Sequence, residues 1–287
     1  VLKGRLGLEL ARLPHELRHG LVYLDRGRLE VEDGCLRFLC AGGGGLAAGD
    51  WQVPHQAVSL VLLGPGSSVT HDALRLLARH NTGLAAVGGD GVRFYTAPPL
   101  LPDASDLARR QARAWADPDV RIQLARRMYA WRLGEIVPAD DLNVLRGIEG
   151  SRMKESYRLL AEQIGVPWHG RRYDRGDPTT ADAPNQAINH AASAVEAAAA
   201  IACACAGAIP QLGFIHEDSG QAFVLDIADL VRTTVTIPVA FRAAKASIRG
   251  NPLSLDALVR REASATFRTA RVIPGLIERI KSLFQLE

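Results

Sequence analysis

The sequence predicts an α+β protein with a small N-terminal β domain followed by a larger α-helical domain, and three observations carry that reading. Short β-type runs separated by glycine turns fill the first third, a proline-rich stretch follows, and beyond it apolar residues recur at three- and four-residue spacing. A chain of 287 residues that is 47% hydrophobic is long enough to bury two cores. We therefore expect a β-rich domain over residues 1–96, a linker over 97–105 and a helical domain over 106–287.

In the first domain the β runs are Leu21 to Leu24, Leu29 to Val31, Leu36 to Leu39, Val58 to Leu63, Leu84 to Val87 and Val92 to Tyr95. Asp33-Gly34 and Asp90-Gly91 supply turns that tolerate positive φ, and Thr70 to His80 reads as one interrupting helix. Ala97 to Ser105 combines three prolines with a Ser/Asp end suited to capping a helix, hence the linker. Helices are expected near 105–116, 119–134, 140–165, 184–207, 226–232, 237–248 and 253–285. Ala197 to Ile215 is uncharged for nineteen positions, the length of a membrane span. Alanine contributes little transfer energy and Gly207 and Pro210 interrupt the run, so we expect a buried helix ending near Gly207 and no membrane partner.

A formal charge of +3 and a pI near 8.8 permit a polyanionic partner without demanding one. Distribution says more than the total. Seven arginines fall between Arg109 and Arg132 against Asp117 and Asp119, a second group comprises Arg146, Arg152, Lys154, Arg158, Arg171, Arg172 and Arg175, and a third runs from Arg260 to Arg271. Arginine forks match phosphate oxygens, although exposed arginines are also ordinary on helices. Four cysteines without framework spacing fit a reducing cytoplasm, and we read all four, Cys203 and Cys205 included, as structural. The leading residues mix Lys3, Arg5, Glu9 and Arg12 among leucines and lack the apolar core of a signal peptide.

Three constellations could carry chemistry. Val58 to Ser68, with Gly64 and Gly66 ahead of the Thr70 helix, has the strand, glycine loop and helix start of a phosphate site, but lacks the Gly-Lys-Ser/Thr of a P-loop. Arg146-Gly-Ile-Glu149-Gly-Ser-Arg152 sets an acid between glycines and arginines at what reads as a helix start. Two readings stand for Glu149: a residue meeting a cation and a phosphate, or an acid favoured by the helix dipole. In the third, Gly213-Phe-Ile-His216 precedes Asp226-Ile-Ala-Asp229 by ten residues, and aspartates at i and i+3 share one helix face. Asp226 reads as a metal carboxylate or a helix N-cap, and His216 as a ligand or a hydrogen-bonded core histidine. One imidazole with two or three carboxylates suits Mg2+ or Mn2+ better than a closed zinc site.

With these residues in hand, the sequence resembles the CRISPR-associated adaptation integrases, the Cas-one family, and most closely its type I-E branch. The matching pieces are Leu145-Arg-Gly-Ile-Glu-Gly-Ser-Arg152, Gly170-Arg-Arg-Tyr-Asp174, Asn185-Gln186, Gly213-Phe-Ile-His216 and Asp226-Ile-Ala-Asp229, in that order along most of the chain. The resemblance implies a catalytic helical domain in which Glu149, His216 and Asp229 hold the metal and Asp226 supports them. It further implies transesterification, in which the 3′-hydroxyl of a prespacer strand attacks a phosphodiester at a CRISPR repeat boundary. Double-stranded prespacer and repeat DNA are then the substrates, with a homodimer joining a small Cas-two protein in a heterohexamer. Arg146, Arg152, Arg171, Arg172, Arg232 and Lys245 are the expected DNA contacts. The branch places an end-splaying tyrosine in its β domain; here Arg26 falls near that position and Tyr23, three residues earlier, is the candidate for stacking. Two other classes stand beside this reading, a non-enzymatic DNA-binding scaffold whose acids cap helices and a nucleotide-binding enzyme using Gly64 to Ser68.

Overall fold

Alternating burial builds the first hairpin. In β2 (Gly27–Glu32) and β3 (Cys35–Cys40) the side chains of Leu29, Leu36 and Phe38 are fully buried, with Leu29 opposite Phe38. Asp33 and Gly34 both take positive φ, as a two-residue hairpin loop requires. In the computed structural model, which describes residues 21–43, 45–58, 60–88, 94–96, 104–135, 141–172 and 181–285, the chain divides into two units, Val1–Leu100 and Leu101–Glu287. The first holds two four-stranded sheets. One runs β1 (Leu21–Leu24), β5 (Leu60–Leu63), β7 (Gly83–Val87) and β8 (Phe94–Thr96); the other runs β4 (Gly49–Gln52), β3, β2 and β6 (Ser68–Val69). Helix α1 (His71–Arg79) starts at Thr70, whose side chain accepts from the Ala73 amide.

The strands β4 and β6 were not legible, because β4 is an edge strand exposed at all its positions and β6 has two residues. Val92, Arg93, the Asp90-Gly91 turn and linker residues 97–103 lie outside the described residues. The Gly64 to Ser68 loop has structural employment: a Cβ on Gly64 would collide with the Tyr23 phenol, Gly66 sits at φ +75°, and Ser67 Oγ donates to the Leu24 carbonyl. Thr70 already caps the helix a phosphate would need.

The second unit is helical: α2 (Asp106–Ala116), α3 (Pro118–Leu133), α4 (Leu142–Ile164), α5 (Ala183–Ala206), α6 (Ala222–Asp229), a π-helical turn at Arg232–Thr236, α7 (Ile237–Ile248), α8 (Leu255–Thr269) and α9 (Val272–Leu283). Asp117, Asp141, Asp182 and Ser254 cap helix starts, and Gly134, Gly165 and Gly207 close helix ends in the left-handed conformation. Helix α5 is the hub. Ala187, Ala191, Ala198, Ala199 and Ala202 are buried on it, and these small side chains let α6, α7, α8 and α9 approach closely. By length and composition α5 could cross a membrane, and its apolar face is packed within this unit.

Three expectations needed correction. The helix placed near 226–232 begins four residues earlier, at Ala222, and ends at Asp229, so Asp226 is interior and caps nothing. The stretch 253–285 is two helices, because Pro274 offers no amide and its ring opposes the Ala270 carbonyl; Arg271 turns left-handed at φ 49°. Cys205 is exposed while Cys203 is buried, since positions i and i+2 of a helix face opposite ways.

Candidate active site

Asp226 organises the centre. Its carboxylate is buried and accepts four hydrogen bonds: Oδ2 from the Phe214 amide at 2.6 Å and the Ile215 amide at 3.1 Å, Oδ1 from the His216 amide at 3.0 Å and from His216 Nδ1 at 2.7 Å. The loop carrying Gly213 to His216 is thus wrapped around one carboxylate. Gly213 is required there, because a Cβ would lie 2.4 Å from the His216 carbonyl and 2.7 Å from Ala222 Cβ. Phe214 stays fully buried against Phe223 and Phe284 and anchors the loop. With Nδ1 held by Asp226, Nε2 is the ring nitrogen left available to a ligand, and at 39% side-chain exposure His216 is no core histidine. The Asp226 hydrogen bond, opposed by burial, raises the imidazole pKa above its ordinary value.

Glu149 and Asp229 face one cation. Arg132, on α3, places Nη2 2.7 Å from Glu149 Oε1 and Nη1 3.0 Å from Asp229 Oδ2. The other Asp229 oxygen receives Arg232 Nη1 at 2.8 Å. Arg232 starts the π-helical turn, in which the Thr236 amide reaches back to the Val231 carbonyl, and it also donates from Nε to the Tyr157 hydroxyl at 3.3 Å. Glu149 lies beyond the first turn of α4, which Asp141 caps upstream, so the helix-dipole reading does not apply. The motif expected at a helix start is therefore helix interior. A Cβ at Gly147 or Gly150 would meet nothing within 4 Å, leaving a bare strip of helix beside Glu149. Gly147→Ala is accordingly expected to raise the unfolding free energy by about 0.5–1 kcal/mol. Urea denaturation checks this, and a loss of stability would mean that the strip is closed from within the chain.

Tyr129, Arg132, Arg146, Glu149, His216 and Asp229 line one cleft of about 660 Å3. A smaller one of about 100 Å3 adjoins His216, Asp229 and Arg232 and includes Glu196. Tyr129 was not singled out in the sequence. Its hydroxyl is buried without a hydrogen-bond partner among the described residues, and burial together with the Glu149 charge pushes its pKa up to about 12, so it stays a donor at neutral pH. Burial, with Asp229 nearby, also raises the Glu196 pKa; as the one acid in an alanine run of α5 it was detectable as an anomaly. Arg132 was counted only as part of a basic cluster. Among the described residues no three His, Cys, Asp or Glu side chains stand close enough to enclose an ion as they are placed, since Arg132 lies between the carboxylates. The donor set itself, two carboxylates and an imidazole around a site built for positive charge, fits a hard divalent cation.

The remaining basic candidates are spread over the helical unit. Arg146 Nη2 donates to the Ile215 carbonyl at 2.5 Å and supports the same loop. Arg152 is exposed beside Glu135 at 2.6 Å. Asn185, fully buried, accepts from the Arg172 amide and Arg171 Nη1 and donates to the Gly170 carbonyl, which explains the joint appearance of these residues. The Arg171 and Arg172 side chains are exposed. Lys245 donates to the Ile164 carbonyl at the end of α4. In the β unit, the half-buried Tyr23 packs its phenol against Gly64.

Fold and site define a class of protein: a β-rich unit followed by a helical unit in which a buried aspartate and the part-exposed histidine it holds adjoin two cation-facing carboxylates. The model of the family CRISPR associated protein Cas1 matches residues 130–250. The CRISPR-associated endonuclease Cas1 of Escherichia coli strain K12 is 36% identical over 277 residues, 96% of this chain and 88% of that protein. The CRISPR-associated endonuclease Cas1 2 of Thermus thermophilus is 36% identical over 281 residues, 96% of this chain and 82% of that protein. A crystal structure of a TtCas1–DNA complex superposes with a TM-score of 0.60 at 31% identity, covering 96% of this chain and 99% of that one. The chain belongs to the CRISPR-associated Cas1 family, with the E. coli likeness in keeping with the type I-E resemblance.

Proposed function

We propose that this protein is a metal-dependent DNA integrase and endonuclease that inserts spacers into a CRISPR array. The observation that carries it is the pair Glu149 and Asp229, brought from separate helices to one cation beside His216 in an arginine-lined cleft. Relatives named as endonucleases support the nuclease class, and the DNA complex of TtCas1 supports a DNA substrate.

In this reading the nucleophile is the 3′-hydroxyl of a prespacer strand. Its oxygen bonds to the repeat-boundary phosphorus as the repeat strand's own P–O bond breaks, and that strand's 3′-oxygen leaves with a proton. Glu149, Asp229 and His216 Nε2 would hold Mg2+ or Mn2+, while Asp226 fixes the imidazole. When bound, such an ion supplies activation of the attacking hydroxyl and offsets charge on the phosphate oxygens. Arg146, Arg152, Arg171, Arg172, Arg232 and Lys245 would meet the DNA backbone, the bare strip at Gly147 and Gly150 would admit it, and Tyr23 would stack at a prespacer end. A homodimer joined to a small Cas2 protein in the cytoplasm is the proposed working form.

Capping does not account for the acids, because Glu149 is inside α4 and Asp226 inside α6, and the close approach of Tyr23 to Gly64 gives that glycine a structural reason that weighs against the nucleotide reading. The test incubates the chain with a Cas2 partner, Mg2+ or Mn2+, short duplexes and a supercoiled repeat-bearing plasmid. Duplexes joined at the repeat boundary are expected; DNA binding without joining or cutting would leave only a scaffold.

A further inference from the structure

We infer that Arg132 is an internal stand-in for the metal ion, holding Glu149 and Asp229 together when no ion is present and withdrawing from them when one binds, so that it sets the ion affinity of the centre. The inference rests on the metal reading of the site and concerns what that site does before the ion arrives.

The guanidinium bridges the two carboxylates through different nitrogens, at 2.7 Å and 3.0 Å. Its side chain is 4% exposed and the two carboxylates are 20% and 19% exposed, so these charges are poorly solvated and depend on one another. With Arg232 on the far oxygen of Asp229, the group holds two positive and two negative charges and is balanced. A divalent ion entering beside both carboxylates would bring two further positive charges next to a desolvated guanidinium. Repulsion at that distance is strong, so ion and guanidinium compete for the same oxygens.

The surroundings offer Arg132 a second position. Its Nε is buried and has no partner among the described residues, so its hydrogen bonding is incomplete where it stands. Tyr129, three residues away on the same face of α3, carries a buried hydroxyl that also has no partner among the described residues and can accept from a guanidinium N–H. Both side chains line the cleft of about 660 Å3, which leaves room for the movement. An ion pair serving stability alone would need neither the vacant acceptor nor the space.

The experiment titrates Mn2+ into the metal-free full chain by calorimetry and by the electron paramagnetic resonance of free Mn2+. Wild type, Arg132→Met, Arg132→Lys and Glu149→Gln are compared, with thermal unfolding measured with and without the ion. Arg132→Met is expected to lower the metal-free Tm, because two carboxylates lose their cation, and to raise Mn2+ affinity by about tenfold or more. Mn2+ should therefore raise its Tm further than that of wild type. Arg132→Lys, too short to bridge both acids, should give an intermediate affinity and decides the matter if the Met variant does not fold. Unchanged or weaker Glu149-dependent binding in the folded Arg132 variants overturns the inference while sparing the metal reading. Absence of any Glu149-dependent binding, in wild type and variants alike, sinks both.

Discussion

Glu149→Gln is expected to reduce joining of a prespacer 3′ end to repeat DNA by about three orders of magnitude while leaving the fold and DNA affinity close to wild type. The substitution is chosen for what it retains. Glutamine has the same shape, and its Oε1 can still accept from Arg132 Nη2, which lies 2.7 Å from the carboxylate oxygen. What disappears is the negative charge that would bind an ion. Ion stabilisation of developing phosphate charge is worth several kcal/mol, and about 4 kcal/mol corresponds to the stated loss. The hydrogen bond to the buried Arg132 persists although its charge pairing weakens, and Asp229 still faces the guanidinium, so Tm should fall by no more than about 2–4 °C. Product gels measure joining and fluorescence anisotropy measures DNA binding. Integration within about tenfold of wild type would remove Glu149 from the chemistry.

The centre was partly legible because its spacing is local. His216, Asp226 and Asp229 lie within one short segment, and helical periodicity sufficed to put the two aspartates on one face. Their different roles were not legible, since the distinction depends on tertiary contacts: the amides of Phe214, Ile215 and His216 all point at Asp226, whereas Asp229 meets two arginines. Arg132 was hidden for the opposite reason. It sits in an arginine-rich stretch that includes Arg110, paired with Asp106, and Arg121, paired with Glu217, and nothing in composition marks the one member turned inward. Burial of a charge is set by what packs over it, here α4 and α6. The helices were read well where caps coincide with periodicity, as at Asp141 and Gly165. They were misread at Ala222, where the residue at the cap position, Gln221, makes no side-chain cap hydrogen bond.

Asp226→Asn should separate a supporting carboxylate from an ion ligand, and its largest effect is on stability. The carboxylate accepts from three backbone amides and one imidazole with both oxygens, and it is fully buried. An amide keeps one acceptor oxygen and turns an NH2 group toward donors, stranding two of them. At about 1–3 kcal/mol for each unsatisfied buried group, the loss is roughly 3–5 kcal/mol, or a Tm about 10 °C lower for the helical unit. The same variant carries a pH signature. The Asp226 hydrogen bond raises the folded-state pKa of His216, with burial acting against it. That stabilisation is complete below the unfolded imidazole value of about 6.5 and fades as pH rises through the raised folded value. Removing it makes the stability gap between wild type and Asp226→Asn widest on the acid side of this window and narrower above it. The His216 ring proton, followed by NMR, should titrate at lower pH in the variant. An unchanged titration together with an unchanged Tm would mean that Asp226 does not hold the ring, and its carboxylate would then be open to an ion directly.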